Sequence, residues 1–443
     1  MSPSRSELVF PFSERRRLCL VAAASLALAG RRSWAGALPP ATTVAEPDTY
    51  RQALARLQAG QRLLLAPGLY TRGLPLHGLE GTRAAPITIE AWDAARPPIF
   101  LARSGANTVS LIDSRWLVLR ALRFEGAGQR VDAIKAEGHA RFADHIVLEG
   151  LSIFDHGPWQ DVVGISTKCP AYGWVVRNNW IVGAGTGMYF GQSDGSAPFV
   201  AGLIEGNRVF DPVGYGIQIK HQVARGGPVA PQVTTLCRNR IVKTANRARG
   251  SQARPNLLIG HVPTAGPGEF DSYRVFGNLL FDNPTESLLQ AEGNLAIYNN
   301  LLVNPQGDAL RVMAHRHRPR TVTVFHNTVV ARGLGIEISG GEPGYERSAM
   351  GNWIFAQHVV LDATAGNAIE PFARAQHCLV NPLQAPPALD LSPRAGALSE
   401  GAPLPVALGA LPGARDDFLG RPRHGNFSGA CAPMEPAVSA RCA

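Results

Sequence analysis

Asparagine recurs along the middle of the chain, each time at the same place in a short repeated pattern. An aliphatic stretch comes first, one or two turn residues follow, and a second aliphatic pair begins after the asparagine, as around Asn300. The asparagines stand at 179, 207, 239, 278, 300, 327 and 352, with successive spacings of 28, 32, 39, 22, 27 and 25 residues. The shortest spacing is too short for a propeller blade or a helical pair. The pattern therefore predicts a stack of short coils, the longer of which carry inserted loops.

A coil of this length with two or three short strands is typical of a parallel β-helix. The 47 glycines, 34 prolines and 17% charged residues also favour a turn-rich β protein over a helical one. Asparagines stacked at the turns can hydrogen-bond to one another from coil to coil, which would satisfy polar groups where the backbone bends inward. We predict an all-β, right-handed parallel β-helix in which the asparagines are structural and take no part in chemistry.

Residues 1–35 have the features of an export signal. The arginine run at 15–17 resembles a twin-arginine motif, and the apolar run at 18–29 is too short to span a bilayer. Small residues at 33–35 offer a cleavage site. We therefore predict that the mature protein is periplasmic or secreted.

The remaining chain divides into a coil-forming part and a tail. Apolar residues at helical spacing over 48–60 predict one short helix, which can plug the open end of the first coil where an apolar cross-section would otherwise meet water. The strand pattern weakens after residue 362 into proline- and alanine-rich sequence. We predict a β-helix over residues 36–385, and an irregular tail over residues 386–443 that packs on it.

The charge of the chain favours an acidic partner. The formal net charge is +9 and the pI is about 9.6. Nucleic acid, anionic polysaccharide and anionic lipid all fit this charge, and so does an arginine-rich surface without a partner. We predict an acidic polysaccharide, no nucleic acid, and no stable membrane anchor after removal of the signal. The chain has only four lysines, at 135, 168, 220 and 243.

The strand that follows each asparagine turn can be aligned from coil to coil. Two columns are almost entirely apolar and predict the core, with Ile217 and Ile219 in one coil and Leu288 and Gln290 in a later one. Between and beyond these columns, side chains point to solvent. Coils lie about 4.8 Å apart, so outward side chains several coils apart can line a groove for several sugar units. The inserted loops at 222–232 and 262–271 are predicted to form its walls.

The outward side chains suit proton abstraction next to a carboxylate. In a uronate, a cation that neutralises the sugar carboxylate stabilises the enolate that develops when the C5 proton leaves. A base removes that proton and an acid assists the departing O4. The candidates are Lys220 or His221 as base, Arg311 or Arg254 as the neutralising cation, and Tyr189 or His261 as acid. The predicted substrate contacts are Gln192, Asp194, Gln218, Arg254, Glu292 and His315.

Other reactions and roles stay open. Hydrolysis needs two carboxylates facing one bond, roughly 5 to 9.5 Å apart, and the candidates are Asp155, Asp161, Asp194, Asp271 and Glu292. A C5 epimerase, or a non-catalytic glycan-binding or export-associated β-helix, would fit the same pattern. The basic run at 315–318 is interpreted as a solvated loop or an anion contact. No metal site and no cofactor are predicted, and Ca²⁺ stays open without an identified ligand set.

The chain resembles the parallel β-helix polysaccharide lyases, in particular the chondroitinase B and alginate lyase group, and more loosely the carbohydrate-binding β-helix domains of periplasmic proteins. The resemblance covers residues 52–70 (QALARLQAGQRLLLAPGLY), residues 85–89, residues 114–116 and residues 326–330. It implies a lysine base and an arginine on the helix face, for which Lys220 and Arg311 are the nearest counterparts. The chain departs from the group after Lys220, where His221 and Gln222 follow in place of a small hydroxyl residue and a nearby asparagine, and the group's calcium-binding carboxylates are not identifiable.

Overall fold

The computed structural model describes residues 41–244, 250–361, 364–397, 401 and 403–432. The export-like segment 1–35 therefore lies outside the described residues. Within them, the chain winds through coil after coil and pairs each strand in parallel with its counterpart in the next coil. The predicted right-handed parallel β-helix is confirmed. No helix in this part of the chain combines the length and the apolarity needed to cross a bilayer.

Each full coil contributes one strand to each of three sheets, which we number in the order in which the coil passes through them. The described strands of sheet 1 are Thr42–Ala45, Arg62–Leu65, Ile87–Ala91, Ser114–Arg120, Ala143–Glu149, Val175–Arg177, Leu203–Glu205, Val233–Cys237, Ser272–Phe276, Leu295–Tyr298, Val322–Phe325, Arg347–Met350 and Thr364–Ala365. Those of sheet 2 are Leu69–Tyr70, Ile99–Leu101, Arg123–Glu125, Ser152–Phe154, Trp180–Val182, Arg208–Phe210, Arg240–Val242, Leu279–Phe281, Leu301–Asn304, Thr328–Ala331, Trp353–Phe355 and Ala368–Glu370. Those of sheet 3 are Leu74–His77, Val109–Ile112, Ile134–Ala136, Val163–Thr167, Thr186–Phe190, Ile217–Ile219, Leu257–Ile259, Leu289–Ala291, Leu310–Val312, Leu334–Ile338 and His358–Leu361.

The other described elements are short. Strands Ala171–Tyr172 and Phe199–Val200 pair in parallel, and strands Leu379–Asn381 and Asp390–Pro393 pair antiparallel. The α-helices are Tyr50–Leu54, Ala375–Cys378 and Val406–Gly409, and the 3₁₀ helices are Gly250–Gln252 and Phe372–Arg374. The first helix is shorter than the predicted 48–60 and joins the first coils through buried Tyr50, whose ring centroid lies 5.0 Å from that of Tyr70. This contact closes one end of the apolar core.

The alignment of sheet 3 was right for most coils and wrong for one. Leu289 pairs with Leu257 and Leu310, and Ala291 is the second inward residue, whereas Leu288 and Gln290 were predicted there. Leu288 is also fully buried, because the chain is already inside the coil where it enters the strand. Because Leu288 and Leu289 are adjacent and both apolar, the alternation of apolar and polar residues does not show which of them is the inward residue of the strand. The shift moves Glu292 into the outward column of Lys220.

The turns between sheets 1 and 2 hold a continuous asparagine ladder. The Nδ2 of Asn278 donates to the Oδ1 of Asn300 at 3.0 Å, and its backbone N–H donates to the same oxygen. The same pair of bonds joins each member to the next from Asn179 to Asn367, through the seven predicted asparagines and one more. The ladder satisfies buried amides where the backbone bends inward, as predicted.

The C-terminal segment covers two of the three sheets near the last coils. Phe276, Tyr298 and Phe325 stack on the outer face of sheet 1 at centroid spacings of 5.0 and 4.7 Å, and the Tyr298 hydroxyl donates to the carbonyl of Pro412 at 2.8 Å. A second apolar cluster joins the segment to sheet 2. The parallel ladder ends with strand Ala368–Glu370, before residue 385. In the described residues these apolar contacts are made to sheets 1 and 2.

Replacing Asn300 by alanine should lower the free energy of unfolding by about 1 to 3 kcal/mol, because it removes the acceptor of the buried Asn278 backbone N–H and one of the acceptors of the Asn278 side chain. Chemical denaturation followed by circular dichroism measures the change. The matched control is Asn426→Ala, since the side chain of Asn426 is exposed. Equal stability of the two variants would contradict a structural role for the ladder.

Candidate functional site

A cleft of about 230 Å³ lies on the outer face of sheet 3, across the four coils from strand Ile217–Ile219 to strand Leu310–Val312. Six of the predicted site residues line it: Gln218, Lys220, His221, Glu292, Arg311 and His315. Tyr215, Gln290 and Arg316 also line it, although the sequence did not single them out as site residues. The coil repeat thus brings together side chains that are up to about a hundred residues apart in the chain.

Lys220 is a half-buried cation in the floor of the cleft. No carboxylate oxygen of the described residues lies within 4.0 Å of its ammonium group. Burial lowers its pKa, the positive charge of Arg316 lowers it further, and the Glu292 carboxylate opposes both effects. Glycine stands beside it in the next coil, where a Cβ at Gly260 would come within 2.2 Å of the backbone nitrogen of His221. The backbones of the two coils therefore approach too closely at this point for any residue other than glycine.

Arg311 lines the cleft with much of its charge already neutralised. Its Nε donates to the Oε2 of Glu337 at 2.7 Å, and its Nη1 lies 3.9 Å from the Oδ2 of Asp308. About a third of the side chain is exposed. Arg311 is therefore held in a fixed orientation at the edge of the cleft, and it offers a weaker field to a bound anion than a free guanidinium would.

Arg316 is the cation that the sequence interpretation missed. Arg316 lines the cleft together with Lys220 and His221, and its charge lowers the pKa of both. It belongs to the run 315–318, which we interpreted as a solvated loop or an anion contact. The fold gives this exposed loop a defined position because its backbone is bound from below, by Glu292.

Glu292 is buried and accepts hydrogen bonds from four backbone N–H groups. Its Oε2 accepts from His315, Arg316 and His317 at 3.3, 2.9 and 2.9 Å, and its Oε1 accepts from His261 at 3.3 Å. Only 3% of the residue is exposed. The carboxylate is thus occupied in holding the loop that carries Arg316, and its role as a substrate contact stays a prediction.

Two of the three predicted histidines, His221 and His261, have different surroundings. His261 is fully buried, with its Nδ1 2.6 Å from the carbonyl oxygen of Val262 and its Nε2 3.1 Å from that of Arg318. It does not reach the cleft, so its prediction as the acid is wrong. His221 lines the cleft, and its Nε2–H donates to the carbonyl oxygen of Asp194 at 3.1 Å. Burial lowers the pKa of His221, and Arg316 lowers it further, so the imidazole is neutral near pH 7.

Tyr189, Gln192, Asp194 and Arg254 do not line the cleft. The Tyr189 hydroxyl bonds with Ser193 Oγ at 3.0 Å, and Gln192 Oε1 accepts from the Ser193 backbone at 3.3 Å. Asp194 accepts from the backbone N–H of Ser196 at 2.9 Å and serves a turn. Arg254 donates to the carbonyls of its own loop. Tyr189 was predicted from alternation along the strand, which does not show where a side chain turns after Cβ.

Gln218 has an unused acceptor in the cleft floor. The residue is 2% exposed and its Oε1 has no hydrogen-bond partner among the described residues. A buried polar atom without a partner is costly, and such atoms are found where a ligand completes the bond. Gln218 lies two residues before Lys220 on the same face of its strand. A sugar hydroxyl is the kind of donor that this oxygen lacks.

The walls of the cleft differ from the prediction. Residues 313–316 form one side, while the loops 222–232 and 262–271 contribute no lining residue. Those two loops are joined to each other by a buried ion pair, with Arg225 Nε 2.6 Å from Asp271 Oδ2. They therefore form a rigid support next to the cleft. Within the described residues, no group of three or more His, Cys, Asp or Glu side chains is arranged to hold a metal ion.

No family model and no curated protein sequence matches the chain. Solved structures do resemble it. The pectate lyase Pel9A has 15% identity and a TM-score of 0.45 over 75% of this chain and 80% of its own. An alginate lyase from Paenibacillus sp. has 17% identity and a TM-score of 0.38, and the match covers 74% of this chain and 99% of the lyase chain. The catalytic unit of an α-1,3-glucanase from Streptomyces thermodiastaticus has 16% identity and a TM-score of 0.46, and the match covers 76% of this chain and 64% of the glucanase chain. These similarities concern the fold alone. Any reaction has to be inferred from the residues that line the cleft.

Glu292→Gln should release the loop at 315–317, because the substitution removes the charge that four N–H groups share and turns an amide NH₂ toward some of them. We expect hydrogen exchange of these backbone amides to become at least about tenfold faster, as the loss of one charge-assisted bond already implies. Mass spectrometry of peptic peptides measures it. The control is Glu286→Gln, whose carboxylate accepts from the Gln290 side chain at 3.1 Å. Unchanged exchange in Glu292→Gln would show that Glu292 does not hold the loop.

Proposed function

We propose that the protein is a periplasmic or secreted enzyme that cleaves a uronate-containing polysaccharide by β-elimination. The observation that carries the proposal is a half-buried lysine that has no carboxylate oxygen within 4.0 Å among the described residues and that shares an open cleft on a β-helix with Arg316. Both halves of the reaction use such groups. A base must accept a proton near neutral pH, and a cation must hold the carboxylate next to the carbon that loses it.

Lys220 is the base in this proposal. Its lowered pKa increases the fraction of neutral amine near pH 7, and the neutral amine is the form that accepts a proton. The C5 proton moves to its Nζ, the C5–H electron pair forms the C4–C5 double bond, and the C4–O4 bond breaks. The products are an unsaturated uronate at one new end and a hydroxyl at the other, with no water consumed.

Arg316 and Arg311 neutralise the carboxylate as the enolate develops. Arg316 contributes more of this neutralisation than Arg311, because Arg311 is already paired with Glu337. Tyr215 replaces Tyr189 and His261 as the acid that protonates O4. It lines the cleft, and burial raises its pKa, so its hydroxyl keeps its proton over the working range. Gln218 accepts a hydroxyl of the same sugar.

Hydrolysis has less support from the geometry. Glu292 is the cleft's carboxylate in the described residues, and all its bonding is committed to backbone N–H groups. A hydrolase needs two carboxylates on opposite sides of one bond. C5 epimerisation shares the proton abstraction with elimination and differs only in that C5 is reprotonated and O4 stays. A binding protein would require neither Lys220 nor Tyr215 to exchange protons.

The reaction test is to incubate the protein with pectate, alginate, chondroitin and heparosan and to follow ultraviolet absorbance, since elimination leaves a conjugated, absorbing product. We expect absorbance with at least one polymer, and its loss by at least about 10³-fold in Lys220→Met, from the usual magnitude of general-base catalysis. Arg208→Met, at an exposed position on sheet 2, is the control. Shortened chains without absorbance would indicate hydrolysis, and C5 exchange with solvent alone would indicate epimerisation. Either result would overturn the proposed reaction.

The pH dependence tests the coupling between the two cations. Because the neutral amine is the active form, kcat/KM should rise with pH through the pKa of Lys220, which lies below the ordinary lysine value of 10.5. Arg316→Met removes a charge that lowers this pKa, so the rising limb should move to higher pH and the plateau should fall. Arg208→Met should leave the limb in place. If the rising limb of the kcat/KM profile stayed at the same pH in Arg316→Met, the assignment of Lys220 as base would be contradicted.

A further inference from the structure

Three of the four lysines of the chain lie on the outer face of sheet 3, in nearby coils. Lys135 and Lys220 are on or next to strands of this sheet, and Lys168 follows strand Val163–Thr167. The strand register pairs Ser166 with Tyr189 and Tyr189 with Gln218. Two residues further along each strand, Lys168, Gly191 and Lys220 therefore fall in one column. The proposed reaction uses Lys220 and leaves the other two lysines without a role.

Lys168 is a partly buried cation with no acidic partner in the part of the chain that the structure describes. Its ammonium lies 3.2 Å from the centre of the Tyr189 ring and 3.4 Å from the carbonyl oxygen of Gly191. No carboxylate oxygen of the described residues is within 4.0 Å of it. The nearby Asp132 is instead 3.7 Å from Lys135 and accepts from Ser166 and the Val163 backbone. The aromatic face stabilises the cation only in part, because it carries no net charge.

The surroundings of Lys168 leave room for a ligand. Gly191 separates it from Lys220 in the column, and a Cβ at Gly191 would sit 3.3 Å from the Lys220 Cβ, so glycine opens the surface between the two ammonium groups. Two coil spacings place the two lysines roughly 10 Å apart along the helix axis. Glu137, in the preceding coil, accepts from the Asn107 side chain at 2.9 Å and does not turn to Lys168.

We propose that Lys168 and the face of Tyr189 form a second acidic-sugar subsite, so that a linear polyuronate lies along the helix axis with one carboxylate in the Lys220 cleft and another, about two coils away, on Lys168. This inference rests on the proposed function for the class of ligand. It implies that the glycan lies parallel to the helix axis, and it requires a ligand longer than a disaccharide. It also gives Tyr189 a role in positioning the Lys168 ammonium on its ring face, and no role as the acid.

The charges around Lys168 set the pH at which this subsite works. Burial lowers its pKa to about 7, with Lys135 and Lys220 lowering it and Asp132 raising it. The charged form that binds a carboxylate is therefore present below this pKa and is lost as the pH rises through it. A bound carboxylate favours the ammonium and raises the pKa. The contribution of Lys168 to affinity should be largest in mild acid and should fade above neutral pH.

Lysine footprinting tests the subsite on the unmodified protein. Because the chain has four lysines, acetylation followed by peptide mass spectrometry reports each of them separately. The probes are dimers and hexamers of galacturonate, mannuronate and guluronate. At least one hexamer should slow labelling of both Lys168 and Lys220 by about fivefold or more, while the dimers should protect Lys168 in no case. Lys135 and the buried Lys243 serve as internal references. Unchanged labelling of Lys168 with every hexamer would overturn the subsite.

A variant series gives the second measurement. Lys168→Met should weaken the Kd of the protected hexamer about tenfold, as expected for one charge-assisted bond, and should leave dimer binding unchanged. Lys168→Arg should retain most of the affinity because it keeps the charge and the aromatic contact. Arg208→Met controls for net charge. Equal effects of Lys168→Met on dimer and hexamer, or a hexamer Kd equal to that of the control, would contradict the subsite.

The two proposals fail in different ways. Absorbing product with Lys220 protected but Lys168 unprotected would leave the reaction standing and remove the subsite. Protection of both lysines by a hexamer without any absorbing product would keep the subsite and remove the reaction. Protection of neither lysine would overturn the subsite directly.

Discussion

The coil-to-coil register is the constraint on which everything else in this molecule depends. In a parallel ladder, a register shift of one residue moves the inward side chains of a strand to its outer face and its outward side chains into the core. The asparagine ladder from Asn179 to Asn367 fixes one corner of each coil, because each amide oxygen receives two N–H groups from the coil before. The register of sheet 3 itself then sets which residues point outward, and it places Lys168, Lys220 and Glu292 in one outward column.

The distribution of charge partners separates structural cations from candidate functional ones. Most buried or half-buried arginines have a carboxylate close by, as Arg225 has Asp271 and Arg311 has Glu337. Lys220, Lys168 and Arg316 do not, within the described residues, and all three lie on the face of sheet 3. Taking a cation out of water without a partner has an energetic cost. Lys168 and Lys220 are partly buried, so the chain accepts this cost twice on one face, and an anionic ligand bound there would offset it.

Periodic features could be predicted from the sequence, and single side-chain contacts could not. The fold and the asparagine ladder follow from repetition, so one misaligned coil at Leu288 and Leu289 did not obscure them. Alternation also identified Lys220, Gln218 and Arg311 as outward residues. The roles of Glu292, His261 and Arg316 depended on loops whose path is not periodic. Glu292 reads as an exposed acid in the sequence and is a buried anchor, since the loop at 315–317 folds over it. Tyr215 was missed because it precedes its strand and lies outside the aligned columns.

The central claim is that an acidic glycan lies along sheet 3 and that its carboxylate meets Lys220 and Arg316. A crystal structure of Lys220→Met soaked with the hexauronate that protects the wild-type lysines tests it most directly. The account predicts sugar density across the coils from Thr186–Phe190 to Leu310–Val312, with a carboxylate at the Arg316 guanidinium and the C5 carbon facing position 220. Density confined to sheet 1 or sheet 2, or sugar on sheet 3 with its carboxylate turned away from Arg316, would contradict it.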